Sequence, residues 1–167
     1  MKKLLIIRHA KSSWAIPGQD DFDRPLNDRG HRDAPAMAER IHKKNVEIDA
    51  FVSSPANRAF TTAQYFAKEY RTKKDAIAQH RELYHAMPGT FFEVIGKLDD
   101  RDKTVAVFSH NPGITAFANL LTEARIDDMP TCAIFAVKAD IKHWKDFKDA
   151  KKEFWFFDYP KSEGAEQ

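Results

Sequence analysis

With 167 residues the chain is long enough for one hydrophobic core and short for two. Hydrophobic residues make up 43% and charged residues 31%, and a formal net charge of +2 gives no electrostatic case for nucleic acid or a membrane surface. The single cysteine, Cys132, excludes an intramolecular disulfide and a cysteine-built zinc site, and it reads as a small buried hydrophobe in an apolar stretch.

The chain begins with a four-residue apolar run, Leu4 to Ile7, that leads straight into Arg8-His9. A secretory signal needs an apolar region of about 7–15 residues. No stretch reaches the roughly 18 of a membrane span. A cytoplasmic protein is expected. A short continuous apolar run is the pattern of a strand covered by helices on both faces.

Residues 12–27 carry two prolines and a glycine and form a long loop, of the kind that is often functional in a compact domain. Its acids read as solvated and are given no ligand role, while Trp14 is placed at the mouth of any site the first strand builds. Asn27 or Asp28 caps a helix over 29–44, with Ala34, Met37, Ala38 and Ile41 at helical spacing. A strand over 48–52 follows and ends in Ser53-Ser54-Pro55. The next helix spans 56–70, with Ala59, Ala63, Phe66 and Ala67 on one face. A short strand is expected at 76–79 and a helix at 90–98. Residues 104–108 make the clearest strand, rich in β-branched and apolar side chains. It runs into Ser109-His110-Asn111-Pro112-Gly113 and a helix to Leu121. Strands at 132–137 and 154–157 complete the chain, joined by a charged turn or short helix over 141–151. Phe154 to Phe157 belong to the core or a sheet edge. The tail, 161–167, is polar and expected to fray.

Strands alternating with helices predict one α/β domain over 1–160, a three-layer α/β/α arrangement around a mostly parallel sheet. In such sheets the ligand lies outside the carboxyl ends of the strands. Arg8 and His9 follow the first strand, Arg58 the second, and His110 the strand at 104–108. Arg58 in the first turn of a helix opposes the macrodipole unless an anion offsets it. Two arginines and two histidines on one edge suit phosphoryl transfer. Guanidinium forks match the phosphoryl oxygens, a neutral imidazole is a competent nucleophile near pH 7, and a second, protonated histidine can donate to another oxygen. No acidic cluster and no pair of histidines four apart suggests a metal, so neither a metal nor a cofactor is expected.

R-H-A at 8–10 resembles the R-H-G/A signature of the histidine phosphatase superfamily, the phosphoglycerate-mutase-like fold. R-H-A-K-S-S-W, then D-F-D-R-P-L-N-D-R-G at 21–30, is similar to its small SixA-like branch of phosphohistidine phosphatases. S-S-P-A-N-R-A-F-T-T-A at 53–63 resembles the S-x-x-x-R-x-x-x-T-A block, S-H-N-P-G at 109–113 the second histidine motif, and E-L-Y-H-A at 82–86 a segment after the third strand. The resemblance covers residues 3–121. It implies that His9 becomes phosphorylated, that Arg8 and Arg58 clamp the phosphoryl group, and that His110 is the second pocket histidine. Many members add a glutamate general acid after the third strand, for which Glu82 and His85 are the candidates here. Lys11 and Ser12, beside the nucleophile, are candidate phosphate contacts.

The expected function is a metal-independent phosphatase with a phosphohistidine enzyme intermediate, acting on phosphohistidine in a protein. A small phosphomonoester as substrate, or a non-catalytic phosphate-binding module, are the alternatives. The partner is accordingly a phosphorylated protein or a small phosphate ester.

Overall fold

The computed structural model describes residues 1–164. Its six strands form one sheet in the order β3-β2-β4-β1-β5-β6, with β1 Lys2–Arg8, β2 Ala50–Ser53, β3 Ala78–Gln79, β4 Thr104–Ser109, β5 Ile134–Ala139 and β6 Lys152–Asp158. The helices are α1 Asp28–Lys43, α2 Asn57–Glu69, α3 Pro88–Gly96, α4 Gly113–Leu121 and the short α5 Lys161–Gly164.

The alternation along β1 shows why the sheet is central. Leu4 and Ile6 join the cluster that holds Phe91 of α3 and Phe117 of α4, while Leu5 and Ile7 join the one with Met37 of α1 and Phe66 of α2. Successive strand residues face opposite sides, so four apolar residues in a row are right only for a strand buried on both faces. Each such side chain contributes about 1.5–3 kcal/mol on burial. β4 repeats the device, with Val105 and Val107 on one face and Ala106 and Phe108 on the other.

The sheet is mostly parallel, as expected, and β5 is its one reversed strand. β1, β2, β3 and β4 are parallel, but β5 runs antiparallel to β1 and β6 antiparallel to β5. The cause lies after α4. The chain returns to the carboxyl edge before β5 begins, and Cys132 N–H bonds the carbonyl of Arg8 there. A strand starting at that edge must run back down the sheet. This return also carries Asp128, Met129 and Thr131 to the ligand edge. Cys132 is buried as expected, though in this loop at φ 63° rather than in the strand.

Phe154 to Phe157 lie on β6, at the edge of the sheet. The expected frayed tail is also revised: 161–164 form α5, because Ser162 Oγ donates to Asp158 and Arg40 bonds the carbonyl of Pro160. Residues 165–167 lie outside the described ones.

Candidate active site

Three neighbouring strands deliver Arg8, His9, Arg58 and His110 to one cavity of about 460 Å³. Arg8 ends β1, His9 follows it, and His110 follows the adjacent β4. His9 N–H bonds the Ser109 carbonyl at 3.1 Å, so the two strand ends are fastened side by side. Their imidazole centroids stand 5.2 Å apart. Arg58 arrives from the other side of β4, in the first turn of α2. His9, Arg58 and His110 are all buried.

Local contacts set the position of each side chain. His9 Nδ1–H donates to the carbonyl of Ala10 at 2.7 Å, which leaves the Nε2 lone pair free. Ala10 N–H donates to Thr62 Oγ1, whose hydroxyl donates to the Arg58 carbonyl, so the nucleophile loop is tied to the start of α2. Ser54 Oγ stands 2.8 Å from His110 Nε2 and already accepts from Ala56 N–H. Its proton is therefore free to go to Nε2, and the tautomer that results carries its hydrogen on Nδ1. Arg8 donates to the Met129 carbonyl at 2.8 Å.

Two glycines allow the loops to close on the site. A Cβ on Gly113 would lie 1.8 Å from the Ala86 carbonyl oxygen, and one on Gly30 would lie 2.2 Å from that of Lys11. Both spacings are far inside van der Waals contact. Only glycine lets the 80–86 segment pack on the start of α4.

Electrostatics leave both histidines neutral at pH 7. Burial, reinforced by the Arg58 and Arg8 charges, lowers His9 to about 3, and the bond to Ala10 only partly opposes it. Burial, with His9 and Arg58 nearby, lowers His110 to about 2. Where the sequence reading gives the second histidine a proton, burial in this pocket favours the neutral ring, which can still donate from Nδ1. Three buried donors, Arg8 Nε, Arg58 Nε and His110 Nδ1, have no hydrogen-bond partner among the described residues. Buried N–H groups are normally satisfied, and the three residues that carry these unpaired ones all line this cavity, which marks it as a place for oxygen atoms.

The other candidates divide. Lys11, Ser12 and His85 line the cavity, His85 at φ 63° with its ring 3.9 Å from that of Tyr84. Glu82 does not. It lies in the 3-10 turn Arg81–Leu83, where Leu83 is fully buried and its neighbour therefore faces solvent, 3.4 Å from His80. Trp14 stands at the mouth, 76% exposed, with Arg24 stacked 3.5 Å from its ring.

Asp21, Arg24, Tyr84, Ser54 and Thr62 escaped the sequence reading. Asp21 was read as a solvated acid, yet it lines the cavity. Arg58 donates to its Oδ2 at 3.0 Å and to its carbonyl at 2.6 Å, Tyr84 O–H to Oδ2 at 2.6 Å, and Arg24 to Oδ1 at 3.1 Å. Here is the anion that the position of Arg58 required. Burial pushes the Asp21 carboxyl up, but the bonds from Tyr84 and Arg58 outweigh it and hold the group well below the usual range. Asp21 and Arg24 sit in the D-F-D-R string and Thr62 in the T-T-A block, so both strings held a signal. Ser54 and Tyr84 likewise lie inside quoted strings, but neither composition nor spacing singles them out.

Among the described residues, no three His, Cys, Asp or Glu side chains are grouped to hold a metal ion, and no helix is long and apolar enough to cross a membrane.

Comparison with known proteins gives a consistent result. The family model described as Histidine phosphatase superfamily (branch 1) matches residues 4–86. An uncharacterized protein of Mycobacterium tuberculosis is 35% identical over 151 residues, 84% of this chain and 90% of its own. A structure assigned as the phosphohistidine phosphatase SixA of Agrobacterium tumefaciens superposes with a TM-score of 0.80 at 25% identity, over 95% of this chain and 98% of that one. The protein histidine phosphatase SixA in complex with tungstate gives 0.79 at 22%, over 95% and 97%.

Proposed function

The chain belongs to the histidine phosphatase superfamily, and as a phosphatase of that family we propose that it removes phosphate from phosphohistidine in a protein, using His9 as the nucleophile and no metal. One observation carries the reading. Arg8, Arg58 and His110, each with a buried N–H that has no partner among the described residues, line one cavity together with the neutral, tautomerically fixed imidazole of His9.

The chemistry follows from those groups. His9 Nε2 attacks phosphorus while Arg8, Arg58 and His110 Nδ1–H bond the oxygens over which charge spreads. The bond from phosphorus to the substrate's imidazole nitrogen breaks as the bond to Nε2 forms. Water then attacks phosphorus, phosphate leaves as its monoanion, and His9 returns to the neutral ring whose Nδ1–H the Ala10 carbonyl holds. Neither transfer needs a proton delivered to the leaving nitrogen when the substrate ring carries one on its other nitrogen.

That last point supports a P–N substrate. An alkoxide leaving group needs a general acid. Of the carboxyl groups among the described residues, Asp21 alone lines the cavity, and it is ionised, while Glu82 faces solvent. The open mouth, with Lys11, Trp14 and His85 exposed on it, suits a protein surface. Cytoplasmic location is part of the same proposal.

A second reading keeps the chemistry on a small phosphomonoester, with His85 as proton donor, because its imidazole reaches the cavity that Glu82 does not. Comparing kcat/KM for a histidine-phosphorylated phosphotransfer protein and for a sugar phosphate, in EDTA, separates them. The proposal predicts that the phosphoprotein is strongly preferred. Turnover of the ester alone, lost in His85→Ala, would establish the second reading.

A further inference from the structure

A carboxylate in a phosphate-binding cavity works against an anionic substrate, since like charges brought together cost affinity. Asp21 is nonetheless fixed there. Tyr84 and Arg58 donate to Oδ2 and Arg24 to Oδ1, and the side chain keeps 39% of its surface exposed. A carboxylate offers about four lone-pair directions, of which these bonds use three. One acceptor direction is left on a group that is held rigidly, carries full charge at neutral pH, and shares the cavity with His9 and His110.

What such a group can receive is a hydrogen-bond donor on the leaving group. The alkoxide oxygen of a phosphomonoester has no second atom to offer. The imidazole of a phosphohistidine does, because its other ring nitrogen carries a hydrogen in the form that leaves best. We propose that Asp21 accepts the free ring N–H of a substrate phosphohistidine and thereby selects P–N over P–O substrates, an assignment that rests on the phosphohistidine reading above.

The step balances without a further acid. The substrate ring enters protonated on its free nitrogen, and that proton stays in the bond to Asp21. The P–N electron pair returns to the bridging nitrogen, the new P–N bond forms at His9, and a neutral imidazole departs. The enzyme treats its own phosphohistidine in the same way, with the Ala10 carbonyl on the free N–H of His9. Substrate and intermediate thus become near equivalents, each with an oxygen acceptor on the second nitrogen, and phosphoryl passes between them with little change in free energy. Tyr84 is a positioning residue in this scheme, since its hydroxyl orients Oδ2.

The test compares two small donors, phosphoimidazole and p-nitrophenyl phosphate, whose leaving group departs without a proton, together with a histidine-phosphorylated protein. Asp21→Asn should lower the ratio of kcat/KM for phosphoimidazole to that for p-nitrophenyl phosphate by about tenfold or more, the scale of losing one hydrogen bond to a charged group. Tyr84→Phe should lower the same ratio less. A parallel loss on both donors, with the ratio within about twofold of wild type, would overturn the proposal and leave Asp21 as a brace for Arg58. Wild-type enzyme that is inert toward phosphoimidazole and the phosphoprotein yet hydrolyses the nitrophenyl ester would instead overturn the phosphohistidine reading, and this assignment with it.

Discussion

Arg8, His9, Arg58 and His110 leave strand ends and a first helical turn, whereas Lys11, Trp14, Asp21, Arg24 and His85 stand on connecting loops. The first group is braced by backbone: His9 N–H on Ser109, Ala10 on Thr62, Thr62 on Arg58. The second is held mainly by side chains meeting side chains, as where Asp21 gathers Tyr84, Arg58 and Arg24. Secondary structure fixes the groups that any phosphoryl transfer through histidine requires. Loops carry the groups that meet whatever the phosphoryl is attached to, and they tolerate change because little packing depends on them.

Substitutions can break that division. The largest effect belongs to His9→Ala, which should reduce turnover of every donor by about 10⁴-fold or more, since the covalent route is lost. Arg58→Ala should cost about 10²–10³-fold in kcat, the range for one preorganised donor, and should do so alike for phosphoprotein and nitrophenyl ester. If Arg58→Ala spared one donor, chemistry and selection would not be separable. Gly113→Ala forces a Cβ into the Ala86 carbonyl and should destabilise the fold by about 1–3 kcal/mol in urea melts, the cost of overpacking. Trp14→Ala removes the exposed ring stacked on Arg24 and should raise KM for the phosphoprotein about threefold to tenfold, an interface-scale loss of about 1 kcal/mol, with kcat little changed. An equal effect on kcat would move Trp14 into the chemical part of the site.

A separate effect is on stability against pH. The folded values of His9 and His110 both lie below the roughly 6.5 of an unfolded histidine. The unfolded chain therefore binds more protons in acid, and stability is full above about pH 6.5 and falls as pH drops toward 3. His110→Asn removes one such group, so its Tm should fall less than that of wild type between pH 6.5 and 4. Parallel curves would contradict the buried neutral state.

How far the sequence could be read follows the same division. Leu4 to Ile7 announced a doubly buried strand, and the residues just beyond strand ends had to lie on the ligand edge, so Arg8, His9, Arg58 and His110 were legible. The direction of β5 was not. Periodicity is identical for parallel and antiparallel strands, and nothing in residues 134–139 states that the chain has first returned to the carboxyl edge. Glu82 is a candidate through the resemblance, which implies a glutamate after the third strand, but in a tight turn the burial of Leu83 decides which way its neighbour faces. Asp21 was hidden because Asp20, Asp21 and Asp23 share one loop, and composition does not tell which of them returns to the pocket.

The most direct test of the central claim is to trap the enzyme during turnover. Wild-type protein and His9→Ala would be mixed in EDTA with a donor protein carrying labelled phosphohistidine, quenched early in base, and assayed for label on the enzyme. The account predicts base-stable, acid-labile phosphate on wild type, mapping to His9, and none on His9→Ala. Release of phosphate from wild type with no label on His9 would contradict it.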